Sequence, residues 1–412
     1  MILNRLLCPC FDLVWIVLPK DGGKHPLALV CGGGGAAKSG VKNQIQVMEF
    51  VGENGFELVQ SLETGDKLCC GLSSATIGED VIVCVSVDGS CVLYTCNLEK
   101  SGKVGFTKRA EFVVDMLGAS GCVNCTVVFQ DKKGKVCVLT GGDEGVCRLW
   151  GLDRPDGSGA VGSPWKHTML KEFKGHSGPV MAISVHPSLQ LFCSGSRDGT
   201  FKVWDMTVPE KPIVADVPLS NGTPDTEKSK KLECRGCQFS ADGEALFLIM
   251  SGRAGPAHLV KWSVKPEEKK EKDGKSSFVL TPMAAIMCSK VPATRLKMNT
   301  AEGLIGIGSS DGAVTVFNMA TMSKVTIQPA HDMPVTGLAF CPMRLPVDAS
   351  ASAQKKLILS CSVDYRLASI DLNARAPILK ILFYLLVLLA VLALIALGAY
   401  IYNDPAKHVI IS

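Results

Sequence analysis

Along this chain a short run of small residues leads repeatedly into Asp-Gly or a near variant. A strand of alternating polarity follows and ends on a large apolar residue. Val87-Asp88-Gly89-Ser90 runs in this way to Tyr94, and Gly141-Gly142-Asp143-Glu144-Gly145 to Trp150. The fullest copy is Ser194-Gly195-Ser196-Arg197-Asp198-Gly199, ending on Trp204-Asp205. Fainter copies end on Trp262, Phe317 and Ile370, and the first ends near Val47. The seven anchors are spaced by 47, 56, 54, 58, 55 and 53 residues. One such unit cannot bury its apolar face alone, so neighbours must stack. A period of this size with Gly-His and Trp-Asp ends is that of four-stranded blades in a β-propeller. The expected fold is all-β, a seven-bladed WD-repeat-type propeller.

Gly175-His176 precedes Trp204-Asp205 as that signature asks, and Ala330-His331-Asp332 opens another unit. His176 and Asp198 read as a hydrogen-bonded structural pair within a blade rather than as catalytic residues. Too few residues separate Ile370 from Pro377 for another strand. The N-terminal strand around Val14 to Leu18 is therefore expected to complete the last blade and remove its exposed edge. Surplus residues fall in loops at Leu152 to Lys166, Val217 to Lys231, Pro266 to Ser277 and Met343 to Lys355. The charge run from Glu267 to Asp273 reads as a solvated loop tip.

Cys31-Gly-Gly-Gly-Gly-Ala-Ala-Lys-Ser-Gly-Val-Lys-Asn43 interrupts the first unit. Four consecutive glycines fill no core; they suit a backbone that takes positive φ or is closely approached. Apolar Leu27 to Val30 precede the stretch, and Gln44 to Phe50 alternates with period two, so a loop between two strands is expected. Gly32 to Ser39 reads G-x-x-x-x-A-K-S, one residue away from a phosphate-binding P-loop. No helical pattern follows it, so there is no helix N-terminus to receive a phosphate. A loop this long within a sheet exceeds what a hairpin needs, which favours a functional role over a plain connection.

The formal net charge of +4 is too small for a nucleic-acid binder, and no basic patch with interleaved aromatics is found. Eighteen cysteines are scattered along the chain. Reduced, buried thiols fit them better than a disulfide framework. Cys122-Val-Asn-Cys125 and Cys234-Arg-Gly-Cys237 have metal-like spacing but lie too far apart for a zinc ribbon, and read as structural. There is no His-Glu-x-x-His, nucleophile elbow or paired-carboxylate motif. No covalent catalysis and no small-molecule substrate are expected, although fold alone does not establish function.

The composition changes at the C-terminus. Ile381 to Ile401 is 21 residues without a charge, dominated by Leu, Val, Ala and Ile. A helix of that length covers about 30 Å, the thickness of a bilayer core. Tyr384 lies near one end and Tyr400 and Tyr402 at the other, where aromatic belts sit. Arg366, Arg375 and Lys380 precede the stretch, and Lys407 follows it, which by the positive-inside bias puts the N-terminal part in the cytosol. The expected organisation is a cytosolic propeller over 1–372, a juxtamembrane linker over 373–380, one C-terminal transmembrane helix over 381–401 and a lumenal tail over 402–412. The apolar run Phe11 to Leu18 is broken by Asp12 and lacks a cleavage site, so it is not read as a signal peptide.

The glycine stretch in the first unit, six further units and one C-terminal span together resemble the endoplasmic-reticulum exchange factors that activate the small GTPase of the COPII coat. The resemblance implies a single-pass endoplasmic reticulum protein with its propeller in the cytosol and its C-terminus in the lumen. It implies that the loop binds a potassium ion through backbone carbonyls of Gly32, Gly33, Gly34, Gly35, Gly40 and Asn43. It implies a partner-binding loop of Lys38, Ser39, Gly40, Val41 and Lys42, with Asn43 acting directly on the GTPase switch region. A membrane-anchored propeller scaffold or trafficking escort without exchange activity is the alternative. The N-terminal segment Met1 to Cys10, with Cys8 and Cys10, has no counterpart in the resemblance.

Overall fold

A computed structural model describes residues 1–20, 23–35, 39–117, 121–155, 163–208, 212–218, 232–266, 278–346, 354–373 and 386–396. Residues 1–370 form one compact unit and 371–412 a second. The first unit contains seven four-stranded antiparallel sheets, the blades of a propeller. Blade 1 is built from Cys10–Lys20, Gly23–Gly32, Asn43–Phe50 and Phe56–Gly65 in that order. Five further blades repeat this simple meander. The seven anchors all fall in the third strand of a blade, from Val47 in Asn43–Phe50 to Ile370 in Arg366–Asp371.

The strands differ by depth. The second strand of blade 3, Val136–Gly142, is buried at every position. The fourth strand of blade 6, Lys324–Pro329, shows its side chains largely to solvent. Strands covered on both faces read as continuous apolar runs, whereas a half-covered strand alternates. This rule corrects one expectation. The segment Val14 to Leu18 does not close the ring; it lies in Cys10–Lys20, the innermost strand of blade 1. Its apolar run suits burial on both sides, with Leu13, Ile16 and Leu18 almost fully enclosed. The closing strand is Ile2–Arg5, which pairs Ile2 with Ser369 and Arg5 with Arg366 as the outermost strand of blade 7. Four residues that alternate half-buried and exposed suffice for that outer position.

Between the first and second strands, every blade carries a register shift at the same place. The extra residue is Phe11, Cys70, Asn124, Met181, Arg235, Thr294 or Thr336, one for each blade in turn. A bulge frees one residue from the ladder and re-aims it. Two of the seven use that freedom to donate a hydroxyl to the next blade. Thr294 donates its hydroxyl to the Val335 carbonyl at 2.6 Å, and Thr336 donates to the Cys10 carbonyl at 2.6 Å across the seam of the ring.

The tryptophan blade is tied internally. His176 Nδ1 lies 2.8 Å from Asp198 and its Nε2 2.7 Å from Ser194, whose hydroxyl also accepts from Trp204 Nε1 at 2.7 Å. Blade 7 repeats the pattern with His331, Asp364 and Ser360, without the indole. The structural reading of the His176–Asp198 pair holds.

In the second unit, residues 386–396 form an α-helix whose Leu, Val and Ile side chains are all exposed, from Leu386 to Ile395. Among the described residues, no helix is long and apolar enough to cross a membrane. The stretch expected to span, 381–401, lies partly outside them. The loops around 156–162, 219–231 and 347–353, and the charge run in 267–277, also lie outside the described residues.

Candidate functional site

The glycine stretch joins the second and third strands of blade 1, as the flanking patterns require. Its first two glycines are fixed by close approach. The Gly33 amide donates to the Pro9 carbonyl at 3.1 Å, and a β-carbon on Gly32 would stand 1.9 Å from that same oxygen. A β-carbon on Gly33 would stand 2.1 Å from Asn43 Oδ1, and one on Gly34 2.1 Å from Ser39 Oγ. Gly35 and Gly40 turn with φ of +72° and +74° and have open space around them. Glycine serves the first three by its size and the last two by its backbone freedom.

Asn43 holds the neck of the loop. Its Oδ1 accepts from the Gly35 amide at 2.9 Å, while its Nδ2 donates to the carbonyls of Gly35 at 3.2 Å and Gly65 at 3.0 Å. The residue is 4% exposed, so its amide is spent on the loop's two ends and on the last residue of the blade's fourth strand. Lys42 points outward and pairs with Glu63 of the same blade. Both partners are more than half exposed, so the pair contributes little stability. Ser39 and Gly40 are exposed, and Ser39 Oγ accepts from the Val41 amide at 3.3 Å. Val41 packs partly against the core between blades 7 and 1. Lys38 lies outside the described residues.

The structure gives the N-terminal cysteines a place and adds one residue, Gln46, that the sequence pattern did not single out. Cys8 and Cys10 are fully buried beneath the loop. Gln46, also fully buried, accepts from the Leu7 amide at 2.8 Å and donates to Cys8 Sγ at 3.2 Å. The Met1 to Cys10 segment therefore does two things: it closes blade 7 and forms the floor under Gly32 and Gly33. Gln46 sits in a strand whose alternation suggests an outward-facing glutamine. Only its burial between two cysteine-bearing segments reveals the role.

The loop's oxygens near Asn43 are backbone carbonyls and the Ser39 hydroxyl, with no carboxylate among the described loop residues. Cys234 and Cys237 are buried in blade 5, Cys125 is half-buried, and Cys122 lies beside Cys70 rather than beside Cys125. Among the described residues no cluster of His, Cys, Asp and Glu could hold a metal ion.

Fold and site together define a WD-type propeller that presents one clipped loop at the end of its first blade. The family model for the WD domain, G-beta repeat, matches residues 167–205. That match begins in the fourth strand of blade 3 and ends on the third strand of blade 4, so the sequence repeat is offset from the blade by one strand. A mouse protein named guanine nucleotide-exchange factor SEC12 is 22% identical over 393 residues, covering 84% of this chain and 85% of its own length. Its rat counterpart is 21% identical over the same shares. Topless-related protein 2 of Arabidopsis thaliana is 28% identical over 145 residues, 35% of this chain, and the match spans 10% of that longer protein. Among solved structures, Chaetomium thermophilum Sqt1 bound to the N-terminus of ribosomal protein L10 superimposes with a TM-score of 0.59 at 15% identity. That match covers 90% of this chain and 86% of Sqt1. It shows the fold alone.

Proposed function

We propose that this chain is a guanine nucleotide exchange factor of the SEC12 type, acting on the small GTPase of the COPII coat at the endoplasmic reticulum membrane. The observation that supports the reading is the mouse relative, whose match covers 84% of this chain and 85% of its own length. The uncharged stretch Ile381 to Ile401 is the proposed membrane anchor, with the propeller on the cytosolic side. Such a factor does no covalent chemistry. It binds the nucleotide-free GTPase better than the nucleotide-bound form, and by linkage it weakens nucleotide binding by the same factor.

The loop is the proposed contact surface, with Ser39, Gly40 and Lys42 on its exposed side; Lys38, next to them in sequence, is proposed to contribute as well. Asn43 contributes by holding the loop's neck, which makes it a positioning residue. A potassium ion is the proposed organiser of the loop tip. The neutral carbonyls of Gly32 to Gly35, Gly40 and Asn43 suit a hard ion of low charge density better than a divalent cation, which seeks carboxylates. The tight glycine packing, in which a β-carbon at Gly33 or Gly34 would strike a neighbour, leaves backbone oxygens as the ligands such an ion would use.

The test is release of a fluorescent guanine nucleotide from the COPII small GTPase, with the full chain in detergent and potassium, sodium or lithium at equal ionic strength. Accelerated release, greatest in potassium, is expected. Equal acceleration in all three salts would remove the ion and leave the exchange role. Stable binding of the GTPase without accelerated release would replace exchange by the scaffold reading.

A further inference from the structure

The ring of bulged positions uses threonine hydroxyls to bond the next blade at two seams, but at the seam between blades 2 and 3 it places a thiol. Cys70, the extra residue of blade 2, has its Sγ 3.4 Å from Sγ of Cys122, which precedes the first strand of blade 3. The two are 52 residues apart in sequence and both are half-buried. Most of the other cysteines are fully buried.

We propose that Cys70 and Cys122 form a reversible disulfide that staples blade 2 to blade 3 when the protein meets a peroxide. Closure asks the sulfurs to approach by about 1.4 Å to reach bonding distance, within the reach of side-chain rotation about a bulged residue. The oxidant is hydrogen peroxide, and the electrons balance in two steps. The Cys122 thiolate attacks one peroxide oxygen, the O–O bond breaks, and hydroxide leaves with Cys122 as the sulfenic acid. The Cys70 sulfur then attacks Cys122 Sγ. The S–O bond breaks, and the oxygen departs as water with the Cys70 proton. Two thiols and one peroxide become one disulfide and two waters.

The contact between the two sulfurs lowers Cys122 and raises Cys70, the directions that suit an attacking Cys122 and a resolving Cys70. Asp143, Asp88 and Asp115 stand near Cys122 and oppose its ionisation. Those carboxylates also disfavour an anionic oxidant such as glutathione disulfide, which is why a neutral peroxide is the matched reagent. Cytosolic disulfides are typically transient and redox-sensing, and a half-buried pair fits that pattern.

Full-length protein is treated with hydrogen peroxide, digested without reduction and mapped by mass spectrometry. The expected product is one cross-linked peptide pair joining Cys70 to Cys122, two hydrogens lighter than the sum of its parts and released by dithiothreitol. Glutathione disulfide at the same concentration should give at least tenfold less of it. In Cys70→Ser the cross-link is lost and Cys122 is trapped as sulfenic acid by a dimedone probe. Oxidation that leaves both residues as free thiols, or that links either one mainly to another cysteine, overturns the proposal. This reading needs only the wild-type chain, so a variant that folds poorly does not obscure it.

Discussion

The side chain of Asn43 and the backbone of Gly35 bond each other twice, amide to Oδ1 at 2.9 Å and Nδ2 to carbonyl at 3.2 Å. This two-bond clip sets the width of the loop's neck. The third bond, to Gly65, fixes the neck to the blade. Asn43→Ala removes all three and leaves the backbone groups to water at a partly open site. The cost is about 1–3 kcal/mol in all, the sum of three bonds of modest net worth whose partners water can replace. The chain should lose at least tenfold of its exchange rate, while the melting temperature falls by a few degrees. Asn43→Asp keeps the acceptor but turns a carboxylate onto two carbonyls, and should be no better than alanine. Nucleotide release and calorimetry on the same samples separate the two effects.

Glycines of one motif should respond differently to the same change. Gly32→Ala puts a methyl 1.9 Å from the Pro9 carbonyl, so the N-terminal floor must shift, and a melting temperature several degrees lower is expected. Gly35→Ala meets no neighbour but must hold φ near +72°, which costs about 1 kcal/mol in strain. Thermal melts of the two variants should rank Gly32→Ala as clearly the worse.

Acid should loosen the blades before it protonates most carboxylates. Burial holds His176 and His331 below the ordinary imidazole range despite their aspartate partners. Folded, each stays neutral as the pH falls below about 6.5, while the unfolded chain takes up a proton there. The unfolded state binds more protons, so stability is full above that pH and falls as the pH drops through it toward the lower folded value. Melting temperatures measured between pH 7.5 and 5 should decline, and His176→Gln should flatten the slope. An unchanged slope in that variant would move the cause elsewhere.

Removing residues 1–9 strips the outer strand from blade 7 and the floor from the loop together. The exposed edge of Arg366–Asp371 should promote association, and size-exclusion chromatography should show it. Gln46 and Gly33 would each lose a partner, so residual monomer should also be impaired in exchange.

The proposed anchor has a separate check. The full chain should stay with membranes through alkaline extraction, and the chain cut after residue 372 should be released. Release of both would remove the span from the assignment.

The third strands are legible in the sequence because each carries three signals at once: a turn dipeptide, an alternating run and a bulky anchor. Trp204 and Phe317 announce themselves in this way. Ile2–Arg5 offers only four residues of weak alternation, and the stronger apolar run at Leu13 to Leu18 competes with it for the closing role. That run is apolar because it is innermost, a matter of depth that residue periodicity does not encode. At the loop, the glycines mark the place, but spacing cannot say which way an asparagine faces. Asn43 turns inward because Gly35 and Gly65 converge on it, and the second of these lies 22 residues away. The family model matches residues 167–205, the stretch that carries the His, Asp, Ser and Trp ties of blade 4.

Pairing Ile2 with Ser369 also dictates an order of events during synthesis. Blades 1 to 6 are continuous in the chain, so each can form as it leaves the ribosome, from contacts between near neighbours. Blade 7 must wait, since three of its strands are made last and its fourth was made first. Until they meet, the nascent protein is an open ring with an unpaired edge at Arg366–Asp371, and Cys10 has not met its last-blade partner Thr336. Holding the ends together costs loop-closure entropy that grows only slowly with length. The delay is therefore one of timing rather than of final stability, and the glycine loop acquires its complete surroundings only when the last blade arrives.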